Sequence, residues 1–171
     1  MGSSEIRAAI EAAREYLTAN PGAARSTDSV ATASVVDGLV MKVTGPRGES
    51  ITTDMVPSVG GTASAPSPGW YLRAAEASCV ATLIAMRAAM LGIELETLEV
   101  SVDSESDDRG LLAIDESVPA GPLSGRVAVR LAAPGVDSAT LDEMARWGIK
   151  HCPVCDALER EVPIRTEISA S

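Results

Sequence analysis

Phenylalanine is absent from this chain, and tryptophan and tyrosine occur only twice each. A core must still form, because 46% of the 171 residues are apolar. It has to be packed from Ala, Val, Leu, Ile and Met. Positive charge is also scarce: 14 Lys and Arg stand against 24 Asp and Glu, a net charge of −10. That balance argues against a nucleic-acid partner, whose affinity comes from Lys and Arg neutralising phosphates. No run of about 18 apolar residues is free of charge, and the nearest is interrupted by Arg87, so no membrane partner is expected. The start "MGSSEIRAAIEAAREYL" lacks the continuous apolar segment of a signal peptide, which makes a cytoplasmic location the expectation. Histidine occurs once and cysteine three times, too few for a structural disulfide framework. In a reducing compartment, cysteines near charge and helix ends point instead to redox chemistry, catalysis or metal binding.

What is present divides into recognisable segments. Residues 5–19 read as an amphipathic helix with Ser4 as N-cap and Asn20-Pro21-Gly22 as its stop. We take residues 1–22 as a helical appendage and 23–171 as the main domain. "SVATASVVDGLVMKV" is rich in Val and Thr, with Asp37-Gly38 as a bulge or tight turn, and "SITTDMV" is a second strand. "PSVGGTASAPSP" is a loop. The strongest helical signal runs over 69–91, where Leu72, Ala75, Cys79, Thr82, Leu83, Met86 and Met90 recur every three or four residues on a nearly uncharged face. Gly92 is placed to cap it. "IELETLEVSVDSE" and "GRVAVRLAA" alternate as half-buried strands. A solvated acidic loop and a short strand near 111–114 lie between them. "DSATLDEMARWGIKH" is a helix capped by Asp137 or Ser138, "VCDALEREV" a second short helix, and "PIRTEIS" a closing strand. Strands clustered before and after helices indicate an α+β fold.

The chemistry gathers near the end, in "GIKHCPVCDAL". A residue before proline is pushed out of the α region, so the last helix should start at Pro153 with Cys152 as its N-cap. There the sulfur faces unpaired N–H groups, which favour a thiolate. His151 and Lys150 add positive charge if they point the same way. Cys152-x-x-Cys155 has the spacing of a redox dithiol and of half a zinc site, and a set of Cys79, His151, Cys152 and Cys155 can be written down. No second Cys-x-x-Cys accompanies it, and no metal or other cofactor is expected. A lone cysteine on the apolar face of a helix, as Cys79 is, is ordinarily core. Arg73 and Glu76 precede it on neighbouring turns, where a charged pair can lie beside the sulfur. The alternatives at this point are a redox pair, a metal clip and buried filler.

"SPGWYLRAAEASCVATLIAMRA" followed much later by "HCPVCDAL" resembles the OsmC/Ohr family over about residues 28–169. The resemblance implies an α+β homodimer whose sheets wrap paired central helices. It also implies that Cys79 reacts with an organic hydroperoxide and that Cys152 resolves the sulfenic acid as a disulfide, which an external thiol or dithiol then reduces. Cys155 stands where the family commonly has serine. Two departures accompany it. Organic hydroperoxide reductases carry a glutamate directly after the proline that opens the central helix, where this chain has Gly69 after Pro68. They also hold the reactive thiolate with an arginine from the early strands, and none is in register here. Arg73 with Glu76 is the expected replacement. The other expectations are an OsmC-fold sensor or binding module without peroxidase activity, and a Cys152/Cys155 dithiol acting alone.

Overall fold

The computed structural model describes residues 2–170. They form two compact units: Arg7–Ala75, and a second unit built from the residues up to Ile6 together with those from Glu76 onward. Mixed helices and antiparallel sheets make the class α+β.

In the first unit, most of α1 (Ser3–Ala19) buries no residue. Three strands follow as an antiparallel meander in the order β1 (Thr32–Asp37), β2 (Val40–Thr44), β3 (Ser50–Thr53). Both readings of Asp37-Gly38 hold. The register slips between Val35 and Asp37, and Gly38 takes φ +52° to make the tight turn. Every residue of β1 is exposed, Val35 and Val36 among them. The loop after β3 is organised by Asp54, whose buried carboxylate accepts hydrogen bonds from the Met55 N–H and from the N–H and hydroxyl of both Thr62 and Ser64. Those donors favour the charged form and hold the Asp54 pKa far below the ordinary carboxylate range, with Thr62 the largest contributor.

Helix α2 (Pro68–Leu91) opens with proline at its first position, where no N–H is needed. It closes in a Schellman motif: Gly92 at φ +69° donates to the Ala89 carbonyl and Ile93 donates to that of Ala88. By length and composition alone α2 is apolar enough to cross a membrane. Here its Val80, Ile84, Ala88 and Ala89 are buried core.

In the second unit, β4 (Thr97–Glu105) pairs antiparallel with β5 (Ser124–Ala132). The period of two is exact enough to sort the faces. Leu98 opposes Leu131, Val100 opposes Val129 and Val102 opposes Val127. On the other face Glu99 is paired with Arg130 and Asp103 with Arg126. These exposed ion pairs contribute about 0–1 kcal/mol each. The apolar face packs on Val80, Ile84 and Ala88 of α2, and on Met144 of α4 (Ser138–Lys150). Of the two expected caps for α4, Asp137 is the one used, accepting from Thr140.

Two expected strands are not formed. Residues 111–114 instead follow a single helical turn, α3 (Asp108–Leu111). The Asp107 side chain caps it by accepting from the Arg109 N–H, and it also grips the Arg109 guanidinium. The local side-chain bond outcompetes a strand that would have had no ladder to join. "PIRTEIS" has no regular secondary structure, and among the described residues no strand pairs with it. Its Ile164 and Ile168 stand exposed. Alternation describes a strand's faces, but a strand also needs a neighbour for its backbone.

Gly148 sets the approach of α4 to α2. A Cβ there would lie 2.5 Å from Ile84 Cγ1 and 3.1 Å from the Ile84 backbone nitrogen. Gly148→Ala therefore forces the helices apart and should cost about 1–3 kcal/mol. Denaturant unfolding with an unchanged slope and a lower midpoint is the expected result.

Candidate functional site

α4 ends at Lys150, and the chain turns through His151 and Cys152 into α5 (Pro153–Glu159). Cys152 is the N-cap of α5, in extended conformation with φ −74° and ψ 114°, and Pro153 is the first helical residue. The capping acceptor is the sulfur: the Cys155 N–H donates to Cys152 Sγ at 3.3 Å. Because α4 lies tight on α2 at Ile84, this turn is carried against α2 near Cys79. The Cys79 and Cys152 side chains act on each other's protons, and the Val154 N–H acts on both. All three cysteines are free thiols.

Cys152 is the hub. It is fully buried, Cys155 is nearly so, and Cys79 is half-buried and packed against the same core. Cys155 Sγ in turn donates to Glu76 Oε1 at 3.7 Å. Glu76 and Cys79 lie one turn apart on α2, so four reactive groups share one side of that helix.

Their protons are unequally held. Burial pushes the Cys152 thiol up, but donation from the Cys155 N–H and side chain, from Cys79 and from the Val154 N–H outweighs it, leaving the pKa below the ordinary thiol value. Cys79 is displaced upward, first by burial and then by its hydrogen bond to Cys152 and that sulfur's charge, with the Val154 N–H acting in the opposite sense. Cys155 is pushed up to about 12 by burial, by its bond to Cys152 and that sulfur's charge, and by Glu76. Of the three thiols, Cys152 is thus the most readily ionised.

The other candidates are placed differently. His151 is exposed, stacks on Trp147 with ring centroids 4.2 Å apart and bonds through Nδ1 to the Trp147 carbonyl at 2.7 Å. It is not among the groups acting on Cys152. Arg73 belongs to the other unit, where its Nη1 lies 3.9 Å from where a Cβ on Gly69 would stand. Of the expected pair, Glu76 is hydrogen-bonded to a sulfur, that of Cys155. Sequence reasoning missed the Val154 N–H, which acts on two sulfurs. Its position second after a capping cysteine was the available signal. Among the described residues no group of three or more His, Cys, Asp or Glu has a geometry that could hold a metal ion.

The family model described as OsmC-like protein matches residues 61–167. The chain belongs to the OsmC-like family. The OsmC-like match contains all three cysteines and Glu76. Solved structures carry the same fold. The OsmC-like protein of Mycoplasma pneumoniae is 18% identical with a TM-score of 0.67, over 79% of this chain and 89% of that one. The organic hydroperoxide resistance protein OsmC of Legionella pneumophila is 18% identical with a TM-score of 0.58, over 78% and 90%. An organic hydroperoxide resistance protein of Elizabethkingia anophelis, with thiocyanate bound, is 16% identical with a TM-score of 0.58, over 78% and 89%. No curated protein matches this sequence.

Cys79 is one of the groups that lower the Cys152 pKa, so Cys79→Ala should raise it. A thiolate absorbance titration at 240 nm should show its lowest step move to higher pH in Cys79→Ala and vanish in Cys152→Ser. An unmoved first step in Cys79→Ala would place the thiolate elsewhere.

Proposed function

We propose that this OsmC-like protein is a thiol peroxidase that reduces organic hydroperoxides, with Cys79 attacking the peroxide and Cys152 closing the disulfide. The observation that carries the reading is the interaction of the Cys79 and Cys152 thiols, brought together from distant parts of the chain, with the pKa of Cys152 lowered and that of Cys79 raised. Of the three sulfurs, Cys79 is the least buried and so the one a substrate reaches first.

The proton arithmetic suits two steps. Cys79 passes its proton to the Cys152 thiolate and attacks the distal oxygen of the hydroperoxide. The O–O bond breaks, and the departing alkoxide takes the proton back from Cys152 to leave as an alcohol. Cys79 is then a sulfenic acid and Cys152 again a thiolate. Cys152 attacks the Cys79 sulfur, hydroxide leaves, and a disulfide remains for an external thiol or dithiol to reduce. Apolar surroundings from Val80 and Ile84 favour a peroxide with a carbon chain. The role of the absent strand arginine falls to neutral donors, because N–H and S–H groups aimed at a sulfur also favour its charged form.

The reading includes a homodimer. Val35 and Val36 on β1, Trp70, Leu72 and Leu91 on α2, and Ile164 and Ile168 in the C-terminal segment are all exposed in the single chain. Apolar surface on that scale suits burial against a second copy. Sedimentation equilibrium should return a mass near twice the 17.6 kDa of one chain, and a mass of one chain at micromolar concentration would refute the dimer.

The peroxidase is tested by stopped-flow consumption of cumene hydroperoxide. Cys79→Ser should fall to the background of free thiol in solution. Cys152→Ser should consume about one equivalent and stop at the sulfenic acid. Consumption by Cys79→Ser at the wild-type rate would remove Cys79 from the reaction.

A further inference from the structure

Cys155 is a cysteine that the two-sulfur cycle does not use, although it touches both the thiolate and a carboxylate. We propose that Cys155 is a third redox cysteine, which takes over the disulfide by attacking Cys152 and releasing Cys79. The proposal rests on the peroxidase reading above and adds a step to it.

Geometry supplies the contact. Cys152 caps α5 and Cys155 is the third residue inside it, so the capping bond at 3.3 Å draws the two residues together. The Cys155 side chain also acts on the Cys152 sulfur. Both belong to one short helix and its cap, so joining their sulfurs requires a change of side-chain torsions and no meeting of distant segments. On its far side the Cys155 thiol already donates to Glu76.

The balance is that of thiol–disulfide exchange. Cys155 gives its proton to Glu76 and attacks Cys152 Sγ. The Cys152–Cys155 bond forms, the Cys79–Cys152 bond breaks, and Cys79 departs as a thiolate. Glu76 returns the proton to Cys79, one turn further along α2. Nothing is oxidised or reduced overall, and the dithiol reductant then acts on the Cys152–Cys155 bond.

The order of events is built into the charges. While the cysteines are reduced, the Cys152 thiolate holds Cys155 protonated, both by accepting its hydrogen bond and by its charge. A disulfide sulfur carries no charge and is a poor acceptor. Oxidation of Cys152 thus removes two of the causes that keep Cys155 from ionising, and leaves burial and Glu76. Cys155 becomes a better nucleophile at the moment its target appears. The freed Cys79 can meet a second peroxide before any reductant arrives.

The test uses the full-length chain, cumene hydroperoxide and no reductant, with peptide mapping of quenched samples. The tryptic peptide beginning at His151 contains both Cys152 and Cys155, and Cys79 lies in another, so the two disulfides are distinguished by mass. Wild type should show a Cys79–Cys152 bridge that decays into a Cys152–Cys155 bond, and should consume about two equivalents of peroxide. Cys155→Ser should stop at Cys79–Cys152 after about one equivalent. Cys79→Ser should form no disulfide. Glu76→Gln should slow the second phase at neutral pH, and an equal or faster phase would overturn the proton route. A lasting Cys79–Cys152 bridge in wild type, with about one equivalent consumed, overturns the relay and leaves the peroxidase intact. A Cys152–Cys155 bond formed in Cys79→Ser at the wild-type rate also overturns it, since the dithiol then acts alone. Absence of oxidation in every protein overturns the peroxidase reading and the relay together.

Discussion

The hydrogen bond from the Cys155 N–H to Cys152 Sγ is at once a helix cap and the anchor of the site. A cap ordinarily takes an oxygen from Ser, Thr, Asp or Asn, because oxygen is the better acceptor. A sulfur serves well in that position only when it is charged, so the local demand of the helix and the chemical demand for a thiolate coincide. Pro153 enforces the arrangement by excluding the α conformation at Cys152. Gly148 completes it at a distance. Without the close approach of α4 to Ile84, the turn bearing Cys152 would not be held against α2. The meeting of Cys79 and Cys152 thus depends on one proline, one glycine and one backbone N–H.

The balance between burial and hydrogen bonding decides where the charge resides. Burial raises all three thiols, and on that count alone none would ionise near neutrality. What separates them is the number of donors: Cys152 collects four, while each of the other two donates to it. Only one negative charge is tolerated in so small a volume, since neighbouring ionised sulfurs repel in a poorly solvated site. The consequence is an ordered set, with Cys152 the first to ionise and its neighbours held protonated while it is charged.

Much of this was legible in the residues themselves. The period of two in β4 and β5, the cap at Gly92 and the start of α5 at Pro153 follow from local rules and stand where those rules put them. The pairing of Cys79 with Cys152 came from family resemblance, since no local rule joins residues on separate helices. The misses share a cause. Residues 111–114 and the segment "PIRTEIS" have strand-like composition, but strand formation is decided by whether a neighbouring ladder is available, and a sequence does not carry that information locally. His151 was expected to add positive charge only if it pointed toward Cys152. Its nearness to Cys152 in sequence suggested an electrostatic role, while the stacking surface of Trp147, one helical turn earlier, claims the ring.

Replacing an arginine by neutral donors changes the character of a thiolate site. A guanidinium stabilises a sulfur charge through a Coulomb interaction that depends on dielectric and distance. N–H and S–H donors act at contact, and their effect is insensitive to ionic strength because no mobile counter-ion competes for them. They also carry a condition that a guanidinium does not. Two of the donors to Cys152 are cysteine side chains, and oxidation of either sulfur removes its proton and with it part of the support for the charge. An arginine-held thiolate is indifferent to the redox state of its neighbours, whereas ionisation of Cys152 is favoured by groups that are themselves thiols. The electrostatics of the cluster and its oxidation state are therefore linked, with Cys152 the most readily ionised of the three thiols in the reduced chain.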